Sequence, residues 1–297
     1  MTGFVFLNKC EGMTSFVAAA RLRRIFDEKK TGHTGTLDPM ATGVLPVALG
    51  GATRFIELIE NHDKSYRATF VLGKTTDTLD ITGKVIFERE VFAERCDVEK
   101  ALDAFKGHIK QLPPMYSAIK KDGVRLYDLA RQGVEIEREE RDVTIYSLSL
   151  VSFSEDKNEY TIDVSCSSGT YIRSLISDIG ETLGCGAVMT SLIRTGANGV
   201  KLCDCRTAEE LLEMKENGTL YEAVVSVDKM ISYPKVTVSE AQAKRFSNGG
   251  ELDLKRVKQT DKDGYYNVYS PDGKFLGVGE KCENEGLLKV KRVYVER

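Results

Sequence analysis

The stretch "GHTGTLDPMATGVLPVALGGATRF", residues 32–55, decides how this chain is read. It sets a histidine, threonines and a single carboxylate, Asp38, among glycines and two prolines, then runs into an apolar half. Asp-Pro ordinarily opens a turn, with the aspartate capping its own backbone. Three features weigh against that reading alone. The segment is long, and long ordered loops tend to carry function. Its apolar end is expected to lie against the core and anchor the loop to a sheet. Its polar residues His33, Thr34, Thr36 and Asp38 are spaced closely enough to line a pocket, and glycine lets backbone approach a ligand.

The flanking segments give the frame. "GFVFL" (3–7) reads as a buried strand. "TSFVAAARLRRIF" has a Thr14/Ser15 cap and apolar residues at Ala18, Leu22, Ile25 and Phe26, which predicts an amphipathic helix. "SYRATFVLG" (65–73) alternates, so Tyr66, Ala68, Phe70 and Leu72 share one strand face. "DVEKALDAFKG" predicts a short helix ending at Gly107. Residues 111–133 open with a double proline as a loop and turn helical near "RLYDLARQG". "VTIYSLSLVSF" and "EYTIDVSCSS" predict two strands joined by "SEDKN". "TYIRSLISDIGETLG" (170–184) carries Ile172, Leu175, Ile176, Ile179 and Leu183 at helical spacing. "TAEELLEM" has a Thr207…Glu210 capping box. Beyond about 230 the texture changes to short strands and turns, with "SPDGK" as a hairpin signal. A boundary is placed there, giving domains at 1–230 and 231–297, the second small and β-rich.

A chain of 297 residues has room for about two domains and a large core. Its net charge of −3 argues against a purely electrostatic nucleic-acid binder, although only the local field at a binding face matters. Seven scattered cysteines, without zinc spacing, suit a reduced, cytoplasmic protein, and no metal site is expected. Cys203 and Cys205 form an incidental pair. No stretch is long and apolar enough for a membrane span, and no signal peptide is expected.

A lone carboxylate can serve as nucleophile or base if it is ionised and oriented, and a guanidinium would secure both. At this point several motifs in chain order resemble one family. Residues 32–55 resemble the catalytic-aspartate motif of TruB-type pseudouridine synthases, and "LNKCEGMTSF" its lysine motif. "KSYRATFVLGKTTDTLDITG" resembles its tyrosine segment, "LPPMYSAIKKDGVRLYDLARQG" its RNA-gripping insertion (about 108–140) and "CSSGTYIRSLISDIGETLG" its arginine motif. The resemblance covers roughly residues 3–200. It implies an α+β pseudouridine synthase fold: a mixed, mainly antiparallel sheet flanked by helices, with a PUA-like C-terminal domain.

The implied activity is that of an isomerase converting uridine 55 of the tRNA T-loop to pseudouridine, a reaction that needs no cofactor because the product is an isomer. Asp38 would be the nucleophile on a flipped-out uridine. Arg173 would pair with it, and Tyr66 would stack on the uracil. His33, Lys9, Lys64, Tyr171 and Thr36 would line or support the pocket. Phosphate contacts are expected from Arg21, Arg23 and Arg24, from Lys120, Lys121, Arg125 and Arg131, and from Arg194 in "SLIRT". Position 10 is cysteine where the family has proline, and it is read as a small apolar filler.

The expected partner is the T-arm of tRNA, bound by a monomer with no obligatory protein partner. Three rivals compete. A guide-RNA-dependent pseudouridylase would carry an extension before the lysine motif. A tRNA-folding chaperone could use the same surface without catalysis. A retaining glycosidase would need a second carboxylate; Asp77 and Asp80 are the nearest, and "TTDTLD" reads instead as shaping a loop.

Overall fold

The computed structural model describes residues 1–295 except 118, 122 and 258–262, and of Arg125 the backbone only. The Arg125 side chain, an expected phosphate contact, therefore lies outside the described part. The chain divides into two compact units. The first comprises Met1–Pro39, Val44–Asn61 and Val200–Arg297, and the second Met40–Gly43 and His62–Gly199.

Along the chain, strand β1 spans Gly3–Lys9, helix α1 Ser15–Ile25, β2 Thr31–His33 and β3 Thr42–Leu49. β4 (Lys64–Leu72), β5 (Lys74–Thr76), β6 (Val85–Glu88), α2 (Arg95–Ala104) and β7 (Gly107–Gln111) follow. A small hairpin, β8 (Lys120–Lys121) and β9 (Val124–Arg125), leads to α3 (Leu126–Arg131), then β10 (Arg141–Ser154), β11 (Glu159–Cys166), α4 (Ile172–Thr182) and β12 (Ala187–Ala197). The last part holds β13 (Val200–Lys201), α5 (Ala208–Glu216), α6 (Val227–Met230), β14 (Lys235–Thr237), α7 (Glu240–Ser247), β15 (Leu252–Asp253), β16 (Gly264–Tyr269), β17 (Phe275–Cys282) and β18 (Leu287–Val293).

In the first unit, β3 lies between β1 and β2, and β2 pairs with it antiparallel. α1 starts where Thr14 accepts a hydrogen bond from the Val17 amide. Its Ala18, Leu22 and Ile25 bury against Leu45, Val47 and Leu49 of β3 and Leu211 of α5 in one apolar core. The C-terminal segment builds a second core on a five-stranded sheet in the order β14-β16-β17-β18-β15, with Val236, Phe246, Val268 and Leu288 at its centre. β17 is one arm of the hairpin expected at "SPDGK", paired with β16.

Residues 32–55 are not mainly loop. "VLPVAL" is itself strand, buried from Val44 to Leu49, and Gly50–Leu58 coils as a 3-10 helix. A strand buried on both faces reads as an unbroken apolar run, so it lacks the alternation that would have marked it. The loop proper is 34–41.

The second unit is a sheet in the order β12-β4-β11-β10-β7, antiparallel throughout, with Thr42 and Gly43 beside β12 in parallel. Tyr66, Ala68, Phe70 and Leu72 of β4 are all buried, as the alternation predicts. On the other face Arg67 makes a bidentate pair with Asp163, its register partner on β11. α4 buries Ile172, Leu175, Ile176 and Ile179. At Gly180 the helix approaches the sheet so closely that a Cβ would collide with the Ala187 backbone. α2 stops at Ala104, before Gly107, because Gly107 adopts φ +91° and opens β7 instead.

Candidate active site

In the first unit, the loop 34–41 carries Asp38 between two pins. The buried Ser15 hydroxyl accepts a hydrogen bond from the Leu37 amide (2.7 Å) and donates to the Leu37 carbonyl (3.2 Å). The Pro39 carbonyl accepts from the Gly12 amide (2.9 Å) and from the Lys9 ammonium (3.3 Å). Lys9 is wholly buried, and its ammonium also donates to the carbonyls of Cys10 and Met13, each at 2.9 Å. The backbone on either side of Asp38 is thus fixed, while Asp38 itself stays part-exposed. A buried ammonium is tolerable only with such a set of acceptors. Lys9 therefore supports the loop from beneath rather than presenting its charge to solvent. His33 ends β2, half-buried, and Thr36 is exposed on the loop. Cys10 is exposed, so the apolar-filler reading fails: its carbonyl serves Lys9 and its thiol faces out.

In the second unit, Arg173 is the second residue of α4 and is 5% exposed. Its guanidinium donates to the Thr78 carbonyl (2.9 Å), the Tyr116 carbonyl (2.9 Å) and the Asp80 carboxylate (3.4 Å). Asp80 is equally buried. Its other oxygen accepts from the Thr78 hydroxyl (2.8 Å), the Thr82 amide (3.0 Å) and the Thr82 hydroxyl (2.5 Å). Both charges have hydrogen-bond partners as well as each other, the condition for keeping a buried ion pair. The loop that delivers Asp80 bends through Leu79 at φ +63°, a left-handed conformation rare outside glycine.

Tyr171 caps α4. Its amide donates to Gln111 Oε1 (2.7 Å) and its carbonyl accepts from Gln111 Nε2 (3.0 Å), so the end of β7 is tied to the start of the helix. Ser174 adds a bond to the Leu112 carbonyl (3.1 Å).

Tyr66 sits on β4 between Val164 of β11 and Arg194 of β12. Arg194 has no exposed surface, which overturns its expected role as a phosphate contact. Its backbone presses on Gly43, at φ +101°, where a Cβ would collide with the Arg194 carbonyl. Lys64, two residues before Tyr66, is half-buried and donates to the His62 carbonyl (2.9 Å). Burial pushes its ammonium below the usual lysine range, and the Arg194 charge pushes the same way. Among the described residues no group of three or more His, Cys, Asp or Glu could hold a metal ion. No helix among them is long and apolar enough to cross a membrane.

Comparison with known proteins gives this arrangement its context. A family model described as "TruB family pseudouridylate synthase (N terminal domain)" matches residues 23–172. Models of the tRNA pseudouridylate synthase B C-terminal domain and of the pseudouridine synthase II TruB C-terminus match 173–232 and 234–294. The chain belongs to the TruB pseudouridylate synthase family. Family members named tRNA pseudouridine synthase B include one from Clostridium kluyveri, 41% identical over 94% of this chain and 95% of its own. Another, from Pseudomonas fluorescens, is 43% identical over 99% and 95%. Among solved structures, a Cbf5-Nop10-Gar1 complex matches with TM-score 0.74 and 25% identity over 99% of this chain and 85% of that one. The family's synthase fold and its β-rich C-terminal part are those described above.

Three supporting residues in these elements escape the sequence pattern. Asp80, a candidate second carboxylate read instead as shaping a loop, also pairs with Arg173. Ser15 was read as a helix cap, but Thr14 is the cap and Ser15 pins Leu37. Gln111 gave no signal at all.

Proposed function

We propose that this protein is a tRNA pseudouridine synthase that isomerises uridine 55 of the T-loop, with Asp38 as nucleophile on the flipped-out nucleotide. The observation that carries the reading is the clamped Asp38 loop. Ser15 and Lys9 fix the backbone on both sides of Asp38, which is part-exposed, and a fixed backbone is the preorganisation a nucleophile requires. The full-length likeness to proteins named tRNA pseudouridine synthase B supports the reaction class and the RNA.

In the reaction the N1–C1′ bond breaks, the base turns and C5 bonds to C1′; C5 then gives up its proton and N1 takes one up, so that the product is an isomer and Asp38 is released unchanged. Nothing is oxidised or reduced. Arg173, oriented by Asp80, supplies the guanidinium that acts with Asp38 in the reaction. Tyr66 stacks on the uracil. His33, Thr36, Lys64 and Tyr171 contact the substrate, and Lys9 supports the Asp38 loop. The segment 108–140 grips the RNA, and 231–297 serves as a PUA-like RNA-binding domain.

The test is tritium release from a T-loop hairpin labelled at C5 of its uridines, with wild type and Asp38→Asn. The product is mapped by reverse transcription after carbodiimide treatment. Release by wild type alone, at the single T-loop uridine, supports the reading. Tight binding without release from either protein would sink it and favour an RNA-folding role.

A further inference from the structure

A cleft of about 400 Å³ opens in the first unit between α1, β2 and the 3-10 stretch. Arg23, Lys29, Lys30 and His33 line it together with Phe16 and Thr53; the remaining wall is alanine, glycine and threonine, and none of it is acidic. Two nearby acids are already engaged, and Asp27, next to Glu28 in sequence, does not line the cleft. Glu28 pairs with the N-terminal ammonium, and Glu209 with Arg21. Arg23, Lys29 and Lys30 have no carboxylate partner among the described residues. Arg23 lies in the last turn of α1, where a cation suits the helix dipole, but the two lysines lie beyond the helix and have no such role. Three like charges gathered in one concavity of a chain with net charge −3 repel one another unless an anion joins them. Phe16, 77% exposed, stands at the rim as an aromatic face open to solvent.

The position narrows the anion. β2, which forms one wall, is held in register with β3, and its last residue His33 is five residues from Asp38. At about 3.5 Å per residue the cleft lies within roughly 18 Å of the carboxylate along the chain. We propose that this cleft binds the phosphodiester backbone of the RNA strand that brings the uridine to Asp38, with Phe16 stacking on an unpaired base of that strand. This rests on the RNA-directed reading above. It also separates the arginines of the first helix: Arg23 contacts phosphate, while Arg21 is neutralised by Glu209.

The experiment measures binding of the T-loop hairpin by full-length protein as a function of salt. Each lost phosphate contact on a single strand lowers the slope of log K against log salt by about 0.7. The Arg23→Gln/Lys29→Gln/Lys30→Gln variant is expected to lose about 2 from that slope, and up to about a hundredfold in affinity near 0.1 M salt. Phe16→Ala is expected to lose about tenfold in affinity with the slope unchanged. An unchanged slope and affinity in the triple variant, with its circular dichroism intact, overturns the proposal. So does UMP binding wild type as tightly as the hairpin and losing that binding in the triple variant, which would make the cleft a free-nucleotide site. Tritium release is followed on the same wild-type preparation. Absence of release together with the slope change refutes the synthase reading and supports the cleft; release with an unchanged slope does the reverse.

Discussion

Asp80→Asn tests whether the buried ion pair on α4 matters for chemistry or only for folding. The substitution keeps the shape and removes one charge. Asparagine's oxygen can still accept from Thr82 and Thr78, but its amide then faces the Arg173 guanidinium, donor against donor. Removing one partner of a buried pair typically costs about 3–5 kcal/mol. Here Arg173 keeps the Thr78 and Tyr116 carbonyls, so about 2–3 kcal/mol is expected. If the same loss falls on the arrangement that orients Arg173, the single-turnover rate drops by about thirty- to hundredfold, since 1.4 kcal/mol is a factor of ten. Urea unfolding and single-turnover tritium release measure the two quantities on one sample. A variant that is less stable but turns over at the wild-type rate would refute the positioning role. A variant unchanged in both would show that the pair contributes nothing.

Three further outcomes are expected. Ser15→Ala removes both hydrogen bonds to Leu37 and leaves a buried amide unpaired; it should cost about 1–3 kcal/mol in thermal unfolding and slow the rate at saturating RNA tenfold or more, with RNA affinity kept. Gly43→Ala should destabilise by about 2 kcal/mol or more in urea, because an alanine at φ +101° must also displace the Arg194 backbone. Asp178 has its carboxyl raised to about 6, first by burial and then by Glu181. Its folded value exceeds the unfolded one, so the native state favours the proton, and this contribution is complete below about 4 and lost as pH rises through 6. Asp178→Asn should therefore stabilise the protein at pH 7 by about 1 kcal/mol, after allowance for solvent screening, and leave it unchanged at pH 4; equal effects at both pH values would refute the linkage.

Local pattern carried part of this structure. The alternation of Tyr66, Ala68, Phe70 and Leu72, and the helical spacing of Ile172 to Ile179, each describe a face buried in the fold. What pattern could not carry is pairing across the chain. Arg194 looked like a surface cation because nothing in "SLIRT" says that its strand lies beside β4 and faces inward. Asp80 and Arg173 are far apart in sequence, and a carboxylate in a threonine-rich turn satisfies its neighbours whether or not a guanidinium arrives. Lys9 gives the same lesson: the carbonyls of Cys10, Met13 and Pro39 accept from it, and every residue has a carbonyl, so no side chain announces them.

The two units differ in how the ribosome delivers them. Nearly all of the second, residues 62–199, emerges as one uninterrupted stretch. The first opens the chain but closes only when Val200 onward has been made. β1 bridges Val225, and the core beneath α1 includes Ala208, Leu211 and Leu220. At about 5–20 residues per second the N-terminal segment waits roughly ten to forty seconds for these partners. During that interval the Asp38 loop has no completed core below it. A chain ending at residue 199, once clear of the ribosome, would thus hold the strand of Tyr66 and the Arg173–Asp80 pair, while the segment bearing the carboxylate still exposed the apolar face of α1 to whatever chaperone met it first.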